Sequence, residues 1–392
     1  MGNSNISRRL LLKHLGLWSV SGPLLSALAS QGCRRSKQIS FFGTGTLDIQ
    51  ESGWTRLTQD LHVNLRFSDN GNDTGPVIAK MITGSASTDF DLGGMQGGAE
   101  RELAAAGKIL PWDLRKIASW GSTWDLAKSI AYTQVGGVQY GLPLALNADS
   151  MIYRPDLLSR ISGFEQFEHT LVDTYAVLFD DRLHGRTSME DAWINSVVFA
   201  AIYLKENNIE RIEDPSDLTD AELKRVMTFL IERKKAGHFA KLWNGWEQAV
   251  ELVRSGRVVI MTGWEPVVYE LRRQKIPAEY AAPREGYEGW SNDLLLHAGV
   301  KSKGLYELAH SVANWLLSGY YGCRLSELRG YVVPNDRGVD FARTTGAFDA
   351  EKLKSLNDHV KAKFRTGRGY WQNVRPREYR LYEEWWSRFR AA

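Results

Sequence analysis

Cysteine is nearly absent: Cys33 and Cys323 are the only two in 392 residues, which excludes a disulfide framework and a cysteine-built metal cluster. Stability must come from packing. The eight histidines stand without ligand spacing, so no metal site is expected. Charge of one sign is lacking as well. The net charge is +3, and Arg8, Arg9 and Lys13 supply three positives in a leading segment that holds no acid. The remainder is balanced, which argues against a nucleic-acid binder. No G-x-S-x-G elbow, Walker loop, H-E-x-x-H or G-x-G-x-x-G at the first βαβ unit occurs, so neither an enzyme nor a cofactor is expected.

What is present is a globular composition rich in rings. Hydrophobic residues make up 43%, enough for a sizeable core, and the length suits two or three domains. There are 14 Trp, 15 Tyr and 14 Phe. Trp is rarely fully buried and its N–H needs a partner, so some of these rings are expected to face a ligand. At the start, Ser7-Arg8-Arg9-Leu10-Leu11-Leu12-Lys13 precedes an apolar run broken by Gly22-Pro23. It is too short and too broken for a spanning helix, and 1–33 reads as a twin-arginine-like export signal. Gly32-Cys33 is similar to a lipoprotein cleavage site, which makes Cys33 the candidate for acylation.

From Gln38 onward short strands and helices alternate. Ile39–Phe42 and Val63–Phe67 read as strands around a helix, a βαβ opening. Helices are expected at Val77–Ile82 and Ala99–Ala106, with glycine loops at Gly43–Thr46 and Gly93–Gly98. Gly136-Gly137 between two β-prone runs predicts a hairpin. Thr219 with Glu222 forms a capping box ahead of Leu223–Lys235, and further helices are expected at Ile194–Lys205, Trp246–Val253 and Val312–Cys323. Lone Cys323 has no base partner and is not expected to be a nucleophile. Val258–Met261 is β-branched enough for a buried strand.

Polar and aromatic residues gather at strand ends, where α/β ligand sites form. Trp264-Glu265 follows one strand; Trp290-Ser291-Asn292-Asp293 precedes Leu294-Leu295-Leu296; Tyr331 opens Tyr331-Val332-Val333-Pro334-Asn335. Gln372 stands in Tyr370-Trp371-Gln372-Asn373, and Glu190-Asp191 precedes a helix.

Taken in order, Gly141-Leu142-Pro143 with Asn147, Val258 to Trp264, Trp290 with the helix Ala309–Leu317, Gly330-Tyr331 with Pro334-Asn335, and Trp371-Gln372-Asn373 before Tyr382–Trp386 carry a family likeness. The chain resembles the extracellular solute-binding proteins of ABC importers, in particular the spermidine/putrescine-binding branch, from residue 39 to 392. The resemblance implies an α/β, two-lobed type II periplasmic-binding-protein fold with an interlobe cleft, one lobe from 38–146 plus 291–336 and the other from 147–290 plus 337–392. It implies a monomer in the periplasm or on the outer face of the cytoplasmic membrane, capturing a polyamine or related organic amine for a permease and its ATPase.

Carried over by position, Trp264, Trp290, Tyr331 and Gln372 match the pocket of the family, with Glu265 beside them. A buried ammonium gains from a Trp face and needs a carboxylate to offset desolvation. At the position of the acid two residues after the second Trp, this chain has Asn292, with Asp293 one step on. Glu190 and Asp191 lie near the other acidic pair but out of register. In the first lobe, Thr44 and Gln96 stand where polyamine binders carry a Trp and a polar residue, and Gly98 where they carry a ring. The alternatives are a carboxylate or oxyanion held on the glycine-loop amides, and a ligand sensor.

Overall fold

Two long strands, buried on both faces, organise the chain. The computed structural model describes residues 37–71, 73–365 and 369–392, so the expected signal at 1–33 and Cys33 lie outside the described residues. In chain order the strands are β1 Lys37–Gly43, β2 Val63–Asp69, β3 Leu92–Gln96, β4 Ile109–Leu110, β5 Gln134–Val135, β6 Val138–Gln139, β7 Gly141–Tyr153, β8 Thr187–Ser188, β9 Ile260–Gly263, β10 Glu279–Tyr280, β11 Tyr287–His297 and β12 Gly369–Trp371. The helices Gln50–Leu61 and Thr74–Ile82 separate the first three strands, which pair in parallel with β1 at the centre, as the βαβ reading requires. The main sheet runs β2-β1-β3-β11-β7-β9-β8, with β4 and β12 added on β11 and β10 on β7.

β7 is apolar at both ends and polar in the middle. Gly141 to Leu146 is followed by Asn147, Asp149 and Ser150, then by Met151-Ile152-Tyr153, and all 13 residues are buried. In antiparallel β11, the polar set Glu288, Ser291, Asn292 and Asp293 around Trp290 precedes Leu294-Leu295-Leu296. Strands covered on both faces need no alternation, which is why their apolar ends read as continuous runs. The two ends enter different cores. Leu142, Leu144, Leu294 and Leu296 pack with Ile39, Phe41, Leu57 and Val312. Met151 and Tyr153 pack with Phe179, Phe199, Leu223, Leu230 and Phe389. The fold is therefore two-lobed α/β, and the polar middles of β7 and β11 lie where one core gives way to the other.

Local signals account for several elements. Thr219 caps the helix Asp220–Lys235, with the reciprocal Glu222 bond of a complete capping box. Gly136 and Gly137 hold the left-handed conformations of the β5–β6 hairpin. Other expectations are corrected. The apolar stretch Val312–Cys323 is two helices, Tyr306–Leu316 and Tyr320–Arg329, broken at Gly319, whose φ of 131° suits glycine alone. Cys323 is buried, its thiol donates to Gly338 O at 3.1 Å, and burial pushes its pKa up to about 12. This bond holds the helix Arg337–Thr345 against Tyr320–Arg329, whereas the helix Tyr379–Ala391 packs into the second core. The segment 337–392 thus touches the helix Tyr320–Arg329 near its start and the second core at its end.

Gly93-Gly94-Met95-Gln96 is not a loop but the body of β3. A Cβ on Gly94 would sit 2.6 Å from Leu47 Cδ1 and 2.7 Å from Phe41 Cε2, so glycine is there to let two apolar side chains reach the strand. Gly94→Ala is expected to lower the unfolding free energy by about 1–3 kcal/mol. Gly121→Ala, with nothing within 4 Å of the added atom, should stay within about 0.5 kcal/mol of the parent. Urea unfolding of the two variants, side by side, checks this.

Candidate functional site

A buried cluster of carboxyl groups occupies the polar middles. Asp149 on β7 stands opposite Glu288 on β11 in the strand register, which puts the two side chains within about 5 Å at their Cβ atoms. Glu190 enters from the end of β8, its N–H donating to Thr262 Oγ1 on β9 at 3.4 Å. The Trp290 indole donates to Asp149 Oδ2 at 2.9 Å and packs edge-on against Tyr331, centroids 4.8 Å apart. Tyr280 accepts the Ser150 N–H at 2.7 Å, and its hydroxyl donates to Gly263 O at 3.0 Å.

Acceptors outnumber donors in this chamber. Glu288 is fully buried with neither carboxyl oxygen hydrogen-bonded, and Asn195, which donates to Glu190, leaves its own Oδ1 unpaired. Burial pushes the Asp149 pKa up to about 7 against the opposing pull of Lys363 and Trp290. Burial also lifts Glu190 to about 8, with Asp149 and Asp191 adding to the rise. Glu288 is raised well above the carboxylate range by burial first and then by Asp149 and Glu190. Three like charges in a dry site cannot all persist, so protons occupy the chamber at neutral pH. Among the described residues, no three His, Cys, Asp or Glu side chains are arranged to hold a metal ion.

Glu265 behaves in the opposite way. It is the first residue of the helix Glu265–Arg273, with Trp264 as the residue before it. Burial would raise its pKa, but the hydrogen bond to His359 at 2.8 Å and the Lys363 ammonium at 2.7 Å bring it down to about 2. Trp264 packs edge-on against Trp243 at 4.9 Å rather than against Trp290.

The remaining expected residues form a second group. Gln372, buried on the strand end after β12, bonds the Gln96 carboxamide, and its N–H donates to Gly289 O at 2.6 Å. Gln96 stands opposite Asn292 on β11. Asp293 is turned by a register shift after Asn292 and interacts with Glu100. Burial raises both carboxyls; Asp293 raises Glu100 further, whereas the hydrogen bond with Glu100 lowers Asp293, so a proton between them rests on Glu100. Thr44 is buried, its N–H donating to Gly94 O at 3.0 Å. An open cavity of about 350 Å³ is bounded by Gly98, Arg101, Tyr132, Asp217, Tyr370 and Arg375, and Asp149, Glu190 and Glu288 do not line it. Tyr370 is the register partner of Glu288, and Tyr132 meets Ser291 at 3.1 Å.

Two expectations are corrected. Asp191 faces away from the cluster, accepting from Trp386 Nε1 at 3.0 Å and Arg390 Nε at 2.6 Å, and anchors the helix Tyr379–Ala391. The glycine-loop amides are taken internally: Gly97 N–H donates to Ser291 O at 3.0 Å and Gly98 N–H to Glu100 Oε2 at 2.8 Å. Asp69 Oδ2 lies 3.0 Å from where a Gly45 Cβ would be. An incoming anion would meet carboxylates there.

A profile described as bacterial extracellular solute-binding protein matches residues 56–335. The chain belongs to the bacterial extracellular solute-binding proteins. Solved structures extend the likeness. A spermidine/putrescine ABC transporter substrate-binding protein from Streptococcus pneumoniae is 11% identical with a TM-score of 0.69, covering 91% of this chain and 99% of that one. A lipoprotein of Treponema pallidum is 14% identical, TM-score 0.66, covering 91% and 100%. A GABA receptor is 16% identical, TM-score 0.62, covering 91% and 97%. At these identities the likeness establishes the two-lobed fold. Family and neighbours are binding proteins and not enzymes. No helix among the described residues is long and apolar enough to cross a membrane.

Asp149, Glu288 and Lys363 were not among the expected site residues. One signal was available: Glu288 and Trp290 lie two apart on one strand and so share a face. Asp191→Ala should lower stability by about 1–3 kcal/mol, since it strands Arg390 and the Trp386 N–H. Glu190→Gln, in contrast, should leave the urea midpoint at pH 8 unchanged or raised, because its parent carboxyl is already disfavoured as an anion.

Proposed function

We propose that this solute-binding protein captures an organic cation, an amine or related N–H donor, in the chamber of Asp149, Glu190 and Glu288 beside Trp290 and Tyr331, and delivers it to the permease and ATPase of an ABC importer. The observation that carries the reading is the fully buried, unpartnered Glu288 beside two further carboxyls with raised pKa values. Glu288 lacks a donor, and among the described residues no ammonium or guanidinium is bonded to any of the three carboxyls. An ammonium on the solute supplies donors and charge, and the Trp290 face adds about 0.5–2 kcal/mol. The spermidine/putrescine name of the Streptococcus pneumoniae neighbour supports the amine class. We further propose lobes of 38–146 plus 291–336 and 147–290 plus 337–392, with chain crossings inside β7 and β11, closure on the solute, and export directed by 1–33 with Cys33 as the acylation site.

pH dependence tests the reading. In the free protein, carboxyl pKa values raised from about 4 stabilise the fold fully at low pH, and this contribution is lost as pH rises through about 7 to 8. The thermal midpoint of the free protein should therefore fall between about pH 5 and pH 8.5. Cation affinity should move the other way, because binding must displace those protons while the amine stays charged. Putrescine and n-butylammonium, titrated calorimetrically across that range, are expected to bind more tightly as pH rises. Affinity that is absent for both, or flat with pH, contradicts the proposal. Glu288→Gln should weaken binding about tenfold or more while raising the stability of the free protein at pH 8 by about 1–3 kcal/mol.

A further inference from the structure

Lys363, on the last turn of the helix Ala350–Phe364, is an ammonium already in place. Its side chain is 3% exposed, and Nζ lies 2.7 Å from Glu265 Oε2, 3.0 Å from Asn147 Oδ1 and 2.9 Å from Ala148 O. The three ammonium donors thus meet three acceptors. The Tyr280 ring stands 5.0 Å from Nζ and the Tyr287 ring 6.0 Å away. Carboxylate, amide, carbonyl and aromatic faces around an alkylammonium are what a site for a free amine would provide. Here the amine is tethered to the chain.

The cage adjoins the carboxyl chamber. Asn147 and Ala148 immediately precede Asp149 on β7, and Asp149 feels the charge of both Lys363 and Glu265. Glu265 is therefore compensated from within. Asp149, Glu190 and Glu288 act on one another, and although Lys363 pulls on Asp149, none of the three forms an ion pair among the described residues.

We infer that Lys363 permanently occupies a second cation position at Glu265 and so restricts the site to solutes with a single cationic head, discriminating against linear diamines. This rests on the cationic-solute reading. A diamine whose first ammonium sits at Asp149 and Glu288 would carry its second toward a carboxylate that is already neutralised. That second charge would lose its hydration without a partner, a cost large enough to reject the ligand.

The test compares n-butylammonium with putrescine, which has the same four-carbon chain and a second ammonium, by calorimetry on the full chain at about pH 8. The parent protein is expected to favour n-butylammonium by about tenfold or more, and Lys363→Met to reverse the preference by freeing Glu265. The double variant Glu265→Gln/Lys363→Met, which removes both charges and so leaves none stranded, should not gain putrescine. A parent protein that binds putrescine as tightly as n-butylammonium overturns the inference and leaves the cationic reading standing. A parent that binds neither removes both. Should Lys363→Met fail to fold, the preference of the parent together with the double variant decides: putrescine gained without the Glu265 carboxylate also overturns the inference.

Discussion

The structure depends on keeping carboxyl groups inside two buried strands whose ends are apolar. Asp149 and Glu288 face one another across β7 and β11 at the only stretch where those strands leave one core and have not yet entered the next. An isolated ionised carboxylate in such surroundings is costly enough that the group takes up a proton instead. The free protein therefore holds chemistry that is unfavourable to its own stability at neutral pH. The apolar ends of both strands hold the backbone in place while the middle carries that cost.

The C-terminal segment ties these strands to the rest. β12 adds to the Glu288 end of β11, Gln372 joins the same strand through its backbone and β3 through its side chain, and Lys363 reaches β7 from the helix before them. One segment thus meets both β7 and β11. Any rearrangement of the two cores about β7 and β11 has to be accommodated by that segment.

Much of the fold was legible because local signals are self-contained. Thr219 and Glu222 name a helix start by themselves, and Gly136-Gly137 names a turn. The glycines of β3 were misleading for a physical reason: they are small to admit Leu47 and Phe41, and a glycine chosen for space looks the same in sequence as one chosen for a loop. The break at Gly319 was likewise hidden inside a run with helical spacing. Around the carboxyl chamber, Trp290, Tyr331 and Glu190 were named from sequence, but their neighbours across the strands were not. Asp149 and Glu288 matter through cross-strand pairing of segments 139 residues apart in number, and Lys363 through a helix later still. Asp191 was misplaced because the adjacent residue Glu190 points to the chamber while Asp191 meets Arg390.

The central claim is that a cation exchanges for protons on buried carboxyl groups. Infrared difference spectroscopy at about pH 6.5, recorded as n-butylammonium is added, reads this directly. The account predicts loss of the protonated-carboxyl C=O band with matching growth of carboxylate bands, both diminished in Asp149→Asn and Glu288→Gln. Saturating binding with no change in those bands, or a change that survives in both variants, would contradict it.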